Sequence, residues 1–155
     1  MSDSPRAPHR IVGYLGMLSL FGGALASAVA VGRTQGRQLP ERYGVQDLLL
    51  GALATHKFTR LVAKDGVTTP LRAPVTEFEE NAGSGEVNES PKEGHLQHVP
   101  GEVLSCPFCL APWVATGYVA MLALSPRLAR AWAATFAIVG SSDWLQHAYS
   151  HIRAD

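Results

Sequence analysis

The stretch IVGYLGMLSLFGGALASAVAVG, Ile11 to Gly32, runs for 22 residues without an Asp, Glu, Lys or Arg. A helix needs ~20 apolar residues to cross the hydrocarbon core of a bilayer, so this run is long enough to span. The stretch VLSCPFCLAPWVATGYVAMLALSP, Val103 to Pro126, holds 24 residues free of the same four types. Ala131 to Ile152 adds 22 more, broken only by Asp143. A fourth candidate, Val45 to Ala63, is interrupted by Asp47, Lys57 and Arg60, and its charge-free centre from Leu48 to His56 has nine residues. Lys57 and Arg60 can snorkel to one interface while Asp47 meets the other. The alternative for this segment is a helix lying in the interface or buried in a bundle. The pattern predicts an all-α integral membrane protein forming one membrane domain. Its four transmembrane helices fall at about 11–32, 45–63, 104–124 and 128–150, the second being short and polar.

The whole-chain composition conceals this. Of 155 residues, 46% are hydrophobic and 17% charged, and thirteen Lys and Arg balance thirteen Asp and Glu. That length suits a single domain. Zero net charge lacks the footprint of a nucleic-acid binder, so no nucleic-acid partner is expected. The balance is an average of two chemistries: residues 64–102 hold eight acids against three bases, a net charge of −5, and the remainder carries +5. Between the second and third helices, this segment reads as a long acidic loop. Its stretch Asn81 to Pro91 is polar and rich in Gly and Ser, the composition of a mobile connection. Such a loop is the candidate surface for a protein partner, and the lipid bilayer is the partner of the helices.

Orientation follows the placement of Lys and Arg. With four spans, Arg6, Arg10, Lys57, Arg60, Lys64, Arg72, Lys92 and Arg153 share one side, against Arg33, Arg37, Arg42, Arg127 and Arg130 on the other. Eight against five puts both termini in the cytoplasm of a multi-pass cell-membrane protein. The first run also has features of a secretory signal, with Ala28-Val29-Ala30 as a cleavage site, but it exceeds the usual 7–15-residue core. Further spans follow it, so a retained helix is expected. Small residues recur at four-residue spacing in Ser19, Gly23 and Ser27, in Gly22, Ala26 and Ala30, and in Ala129, Ala133, Ala137 and Ser141. Rows of this kind let helix backbones approach closely in lipid, within the chain or in a homo-oligomer. The abundance of Ala and Gly is the alternative reason for them.

Several ordered motifs carry a family resemblance. They are Ala54-Thr55-His56-Lys57-Phe58-Thr59-Arg60-Leu61, Ala63-Lys64-Asp65, Pro70-Leu71-Arg72-Ala73-Pro74, Cys106-Pro107-Phe108-Cys109-Leu110 with Trp113, and Ser142-Asp143-Trp144-Leu145-Gln146. From about Gly44 to Tyr149 the chain resembles the bacterial domain-of-unknown-function 1360 family. The resemblance implies a small multi-pass membrane protein and no particular activity. Where that family tends to carry Gly after Cys-Pro-Phe-Cys-Leu, this chain has Ala111-Pro112.

Three sets of residues can carry chemistry. Cys106 and Cys109 stand at the CxxC spacing of thiol–disulfide oxidoreductases, where Ser105 can cap a helix, Pro107 suits its first turn, and the positive helix end favours a thiolate. No βαβ pattern accompanies them, so two buried structural thiols are the plainer reading. With His95 and His98 they also form His-x2-His followed by Cys-x2-Cys, a donor set that can close a tetrahedral zinc site. No cofactor is expected, zinc being the alternative. Asp143 follows twelve charge-free residues and needs compensation in or near the membrane. His147 and His151 follow it at helical four-residue steps. The simplest partner for Asp143 is Arg60, Lys57 or His56. An interfacial place beside Trp144 and Tyr149, or a role in transport, are the alternatives. Asp47 suits the positive end of the second helix. Glu77, Glu79 and Glu80 read as a solvated face, lacking the Gly-containing ligand loop of a calcium site. The expected role is therefore that of a non-enzymatic structural or accessory membrane protein. A thiol-redox or zinc-binding module and a small transporter subunit using Asp143 are the alternatives.

Overall fold

Helix α2 (Val45–Ala63) is the element against which two of the other long helices pack. The computed structural model describes residues 8–37, 40–94 and 96–154. The other helices are α1 (Pro8–Thr34), α3 (Thr69–Arg72), α4 (His98–Ser105), α5 (Pro107–Leu124) and α6 (Pro126–Ala154). A single 3-10 turn, Gly66–Thr68, leads into α3, and strands β1 (Thr76–Gly83) and β2 (Glu86–Pro91) form an antiparallel hairpin. Helix accounts for 75% of the structure.

Small residues let α2 sit close to its neighbours. Ala54 and Ala63 on α2 are buried, as are Ala129, Ala133 and Ala137 at four-residue steps along α6. At Gly51 the ring of Tyr118 from α5 lies against bare backbone, in the space a Cβ would fill. The Tyr118 hydroxyl donates to the Asp47 carbonyl at 3.0 Å. Phe58 fills the α2–α6 seam, its ring 4.9 Å from Phe136 and 5.4 Å from Trp132 in edge-on geometry, which suits the quadrupoles of aromatic rings.

Helix α1 leans on α4 and α5. Its Phe21 meets Trp113 edge-on at 5.0 Å, and Gly13 takes the methyls of Val99 where a Cβ would collide with them. Most of the remaining surface of α1 is exposed. The apolar runs Arg10–Thr34 and Pro107–Leu124 are long and apolar enough to cross a membrane, and only 6% and 17% of their most apolar windows are buried inside the protein. Val12, Leu18, Leu20 and Leu25 all face outward. Two of the four expected spans therefore meet this test. Helices α2 and α6 fall outside it, carrying Asp47, Lys57 and Arg60, and Asp143 with flanking Arg residues.

Two expectations are corrected. Residues 64–102, expected as one acidic loop in an all-α chain, hold the 3-10 turn, α3, a two-stranded sheet and most of α4. The hairpin escapes a reading based on hydrophobic alternation because only Thr76 of β1 is buried. Its turn is made by Gly83, Ser84 and Gly85, at φ of 84°, 53° and 82°, the left-handed region that glycine enters freely. The helix expected from 104 to 124 is two helices, with extended backbone at Cys106 (φ −114°, ψ 108°) between them. Pro107 is the reason. It fixes the first turn of α5 and cannot offer an N–H to continue α4.

Candidate functional site

The site is built at the C-terminal end of α2, where the last carbonyls of a helix lack partners. Thr68 donates its hydroxyl to the Leu61 carbonyl at 2.5 Å and accepts from Arg72 Nη1 at 2.7 Å. Arg72 is fully buried, so each of its N–H groups must be satisfied. Nη1 also donates to Val62 O at 2.5 Å, Nη2 to Asp65 O at 3.2 Å and Glu89 Oε1 at 3.0 Å, and Nε to Glu89 Oε2 at 2.8 Å. The helix end is thus capped by a cation that also grips β2.

Glu89 completes the cluster, accepting from Thr76 at 2.7 Å and Thr69 at 3.1 Å. Its side chain is 2% exposed and that of Arg72 0%. Burial by itself would push the Glu89 carboxyl up. The hydrogen bonds from Arg72 and Thr76, the Arg72 charge and the Thr69 hydroxyl outweigh it and hold the carboxyl below its ordinary range. Backbone bonds finish the attachment: Val87 N–H donates to Lys64 O and Gly66 N–H to Gly85 O, both at 2.8 Å.

Beside this anchor a polar cleft of about 780 Å³ opens between α2, the hairpin turn and α6. Lys57 reaches across it, its Nζ 2.9 Å from Asp143 Oδ2 and 3.5 Å from Asp65 Oδ2. Arg60 makes a bidentate pair with Glu86 at 2.6 and 2.7 Å. Two cations and three carboxylates therefore join α2 to α6 and to the hairpin. The arrangement is a charge network that ties three elements together, with its cations already matched.

The predicted residues divide between this cleft and other places. Asp143, Arg60, His56 and His147 line it; His56 faces Trp144 with ring centroids 6.2 Å apart. His151, one further turn along α6, is exposed and is not among the lining residues. Asp47 stands at the opposite end of α2, bonded to Arg130 at 2.8 and 2.9 Å. Cys106 and Cys109 lie together where α4 gives way to α5, their sulfurs 2.7 Å apart. The N-cap is Cys106 itself, whose Sγ accepts the Cys109 N–H, and not Ser105. His98 is turned toward Glu102 at 3.3 Å, while His95 and Arg6 lie outside the described residues. Among the described residues, no group of three or more His, Cys, Asp and Glu is placed to hold a metal ion. Sequence reasoning did not single out Asp65, Arg72, Glu86 and Glu89 as a site. The signal for them was the surplus of acids between 64 and 102 around Lys64, Arg72 and Lys92.

Residues 49–149 match the DUF1360 family, described as a protein of unknown function. The chain belongs to the DUF1360 family. Comparisons with curated proteins and with solved structures give no match. The DUF1360 segment opens within α2 and closes within α6, so it takes in the anchor, every residue lining the cleft except Ser150, and both cysteines. It leaves out α1, Asp47 and His151.

Proposed function

We propose that this DUF1360 chain is a multi-pass cell-membrane protein with four spans and both termini in the cytoplasm. Its role is that of a non-enzymatic accessory protein that presents a rigid acidic hairpin to a protein partner. Support for the membrane reading comes from the bare apolar faces of α1 and α5, which water would not tolerate at this extent. In α6, Asp143 stands about 26 Å from Pro126 along the helix axis, so the charge network falls at the boundary where the hairpin sits. The observation that carries the accessory reading is the contrast within the hairpin. One end is anchored by the buried Arg72–Glu89 pair, while Glu77, Phe78, Glu79 and Glu80 of β1 are all exposed. A fixed strand with acids around an exposed aromatic suits a basic partner surface. The bare small-residue rows of α1, including Gly22 and Gly23, which have nothing near a built Cβ, suit contact with a second copy in lipid.

Two measurements test this. In a Cys106→Ser, Cys109→Ser background, Gln35→Cys should react with a membrane-impermeant maleimide on intact cells, and Glu79→Cys only after the membrane is opened. Labelling of both from one side overturns the topology. A photo-crosslinker at Phe78 in native membranes should give a discrete adduct. That adduct should vanish with Glu77→Lys, Glu79→Lys and Glu80→Lys together while the chain stays in the membrane. The accessory reading fails if no adduct forms, or if the adduct ignores the charge reversal.

A further inference from the structure

The α4–α5 junction brings two thiols into contact at a helix start. Cys106 caps α5 with extended backbone, and Pro107 occupies the first helical position. Cys106 Sγ accepts the backbone N–H of Cys109 at 3.3 Å and the thiol of Cys109 at 2.7 Å. Both cysteines are free; Cys106 is half-buried and Cys109 exposed. Phe108 between them is 88% exposed, so the chain connecting the pair faces outward at that residue. Two donors and the N-terminal end of α5 thus converge on one sulfur. The other sulfur has a different environment. Glu102, on the last turn of α4, places its charge within electrostatic range of Cys109. That carboxylate is fixed by Tyr14 at 2.6 Å, Arg10 at 3.5 Å and His98 at 3.3 Å. The two sulfurs are electrically unequal.

We propose that Cys106 and Cys109 form a thiol–disulfide exchange site, with Cys106 as the attacking thiol and Cys109 as the resolving one. The substrate class is an accessible disulfide, of a small molecule or of a neighbouring protein. The Cys106 thiolate attacks one substrate sulfur, forming a mixed disulfide and expelling the other sulfur as a thiolate that takes a proton from solvent. Cys109 then loses its proton to solvent and attacks Cys106 Sγ, which breaks the mixed disulfide and releases the second substrate thiol. The substrate disulfide gains two electrons and becomes two thiols; the cysteine pair loses two and becomes an internal disulfide. A dithiol reductant reverses the change at the pair. The exchange site stands independently of the accessory role, because the hairpin contributes nothing to it.

The test uses the full chain in detergent micelles with oxidised glutathione as the probe. Wild type should convert to an internal Cys106–Cys109 disulfide, read as a two-hydrogen mass loss, and dithiothreitol should restore it. Cys109→Ser should accumulate a glutathione adduct on Cys106. At pH 7 that adduct should form at least about tenfold faster than the adduct on Cys109 in Cys106→Ser, as the roles of attacking and resolving thiol require. A wild-type chain that stays a dithiol in oxidised glutathione overturns the proposal, and this arm needs no variant to fold. Equal adduct rates at the two cysteines overturn the assignment of roles. Neither readout moves if the pair only fills space at a helix junction.

Discussion

Gly140 of α6 faces the stem of Lys57: a Cβ built on it would lie 3.1 Å from Lys57 Cβ. The missing side chain is what lets the Lys57 ammonium cross from α2 to Asp143 one turn further along α6. Gly140 and Asp143 therefore act as one device, the first admitting the lysine and the second holding it.

Removing the carboxylate while keeping its shape isolates that bond. Asp143→Asn should destabilise the chain in detergent by about 1–3 kcal/mol, the range for leaving a largely buried charged group with one partner fewer. Lys57 is 14% exposed at its side chain. Asp47→Asn should cost less, since its partner Arg130 is 60% exposed and exposed pairs contribute little. Thermal unfolding of the two variants side by side checks the order.

Close approach at Gly51 makes the α2–α5 contact sensitive to a single methyl. Gly51→Ala should cost about 1–3 kcal/mol through overpacking against Tyr118. Tyr118→Leu should cost stability alone yet recover part of the loss when combined with Gly51→Ala. A double-mutant cycle measures the coupling, and additive effects would show that the ring and the helix do not touch.

The Arg72–Glu89 anchor predicts an acid-sensitive hairpin. Because the folded-state pKa of Glu89 is lowered, its contribution is fully present above the ordinary Glu value of about 4.3. It is lost as pH falls through the lowered value. Glu89→Gln should cost about 3–5 kcal/mol at neutral pH, as expected when one partner of a buried pair is removed. The variant should also lose part of the acid dependence of wild type. Stability curves of both proteins from pH 7 downward supply the comparison.

The turn offers a smaller, local test. Gly83 and Gly85 sit at positive φ, so Gly83→Ala should cost about 1 kcal/mol. Ser84→Gly should be neutral or stabilising. Proteolysis rates across residues 81–87 report the change without disturbing the helices.

What the sequence made legible follows from what kind of force holds each part. Helices α1 and α5 stand out as charge-free runs because most of their surface is apolar and left uncovered by the rest of the protein. Asp143 stands out because one carboxylate in such a run demands a partner, and Lys57 was among those expected. Ala129, Ala133 and Ala137 could be read as a packing row from spacing alone. The hairpin could not. Burial does not alternate along β1, the buried positions of β2 are Val87 and the charged Glu89, and the strands are held by Arg72 reaching a carboxylate 17 residues away, a pairing that leaves no local pattern. Several acids in that segment were equally eligible, so only the folded chain distinguishes Glu89 from Glu93. The helix junction was missed by one residue, because Ser105 is the better N-cap by type while Pro107 makes Cys106 the cap in fact.

The fastenings of the hairpin are all short in sequence, the longest side-chain link joining Arg60 to Glu86 over 26 residues. None of them involves α5 or α6. A chain emerging in order from the ribosome can therefore close this module while the last two helices are still unmade, at the low entropic cost of local loops. Helix α6, arriving last, then meets a lysine already held near Asp65. The final docking step thus becomes the seating of one aspartate.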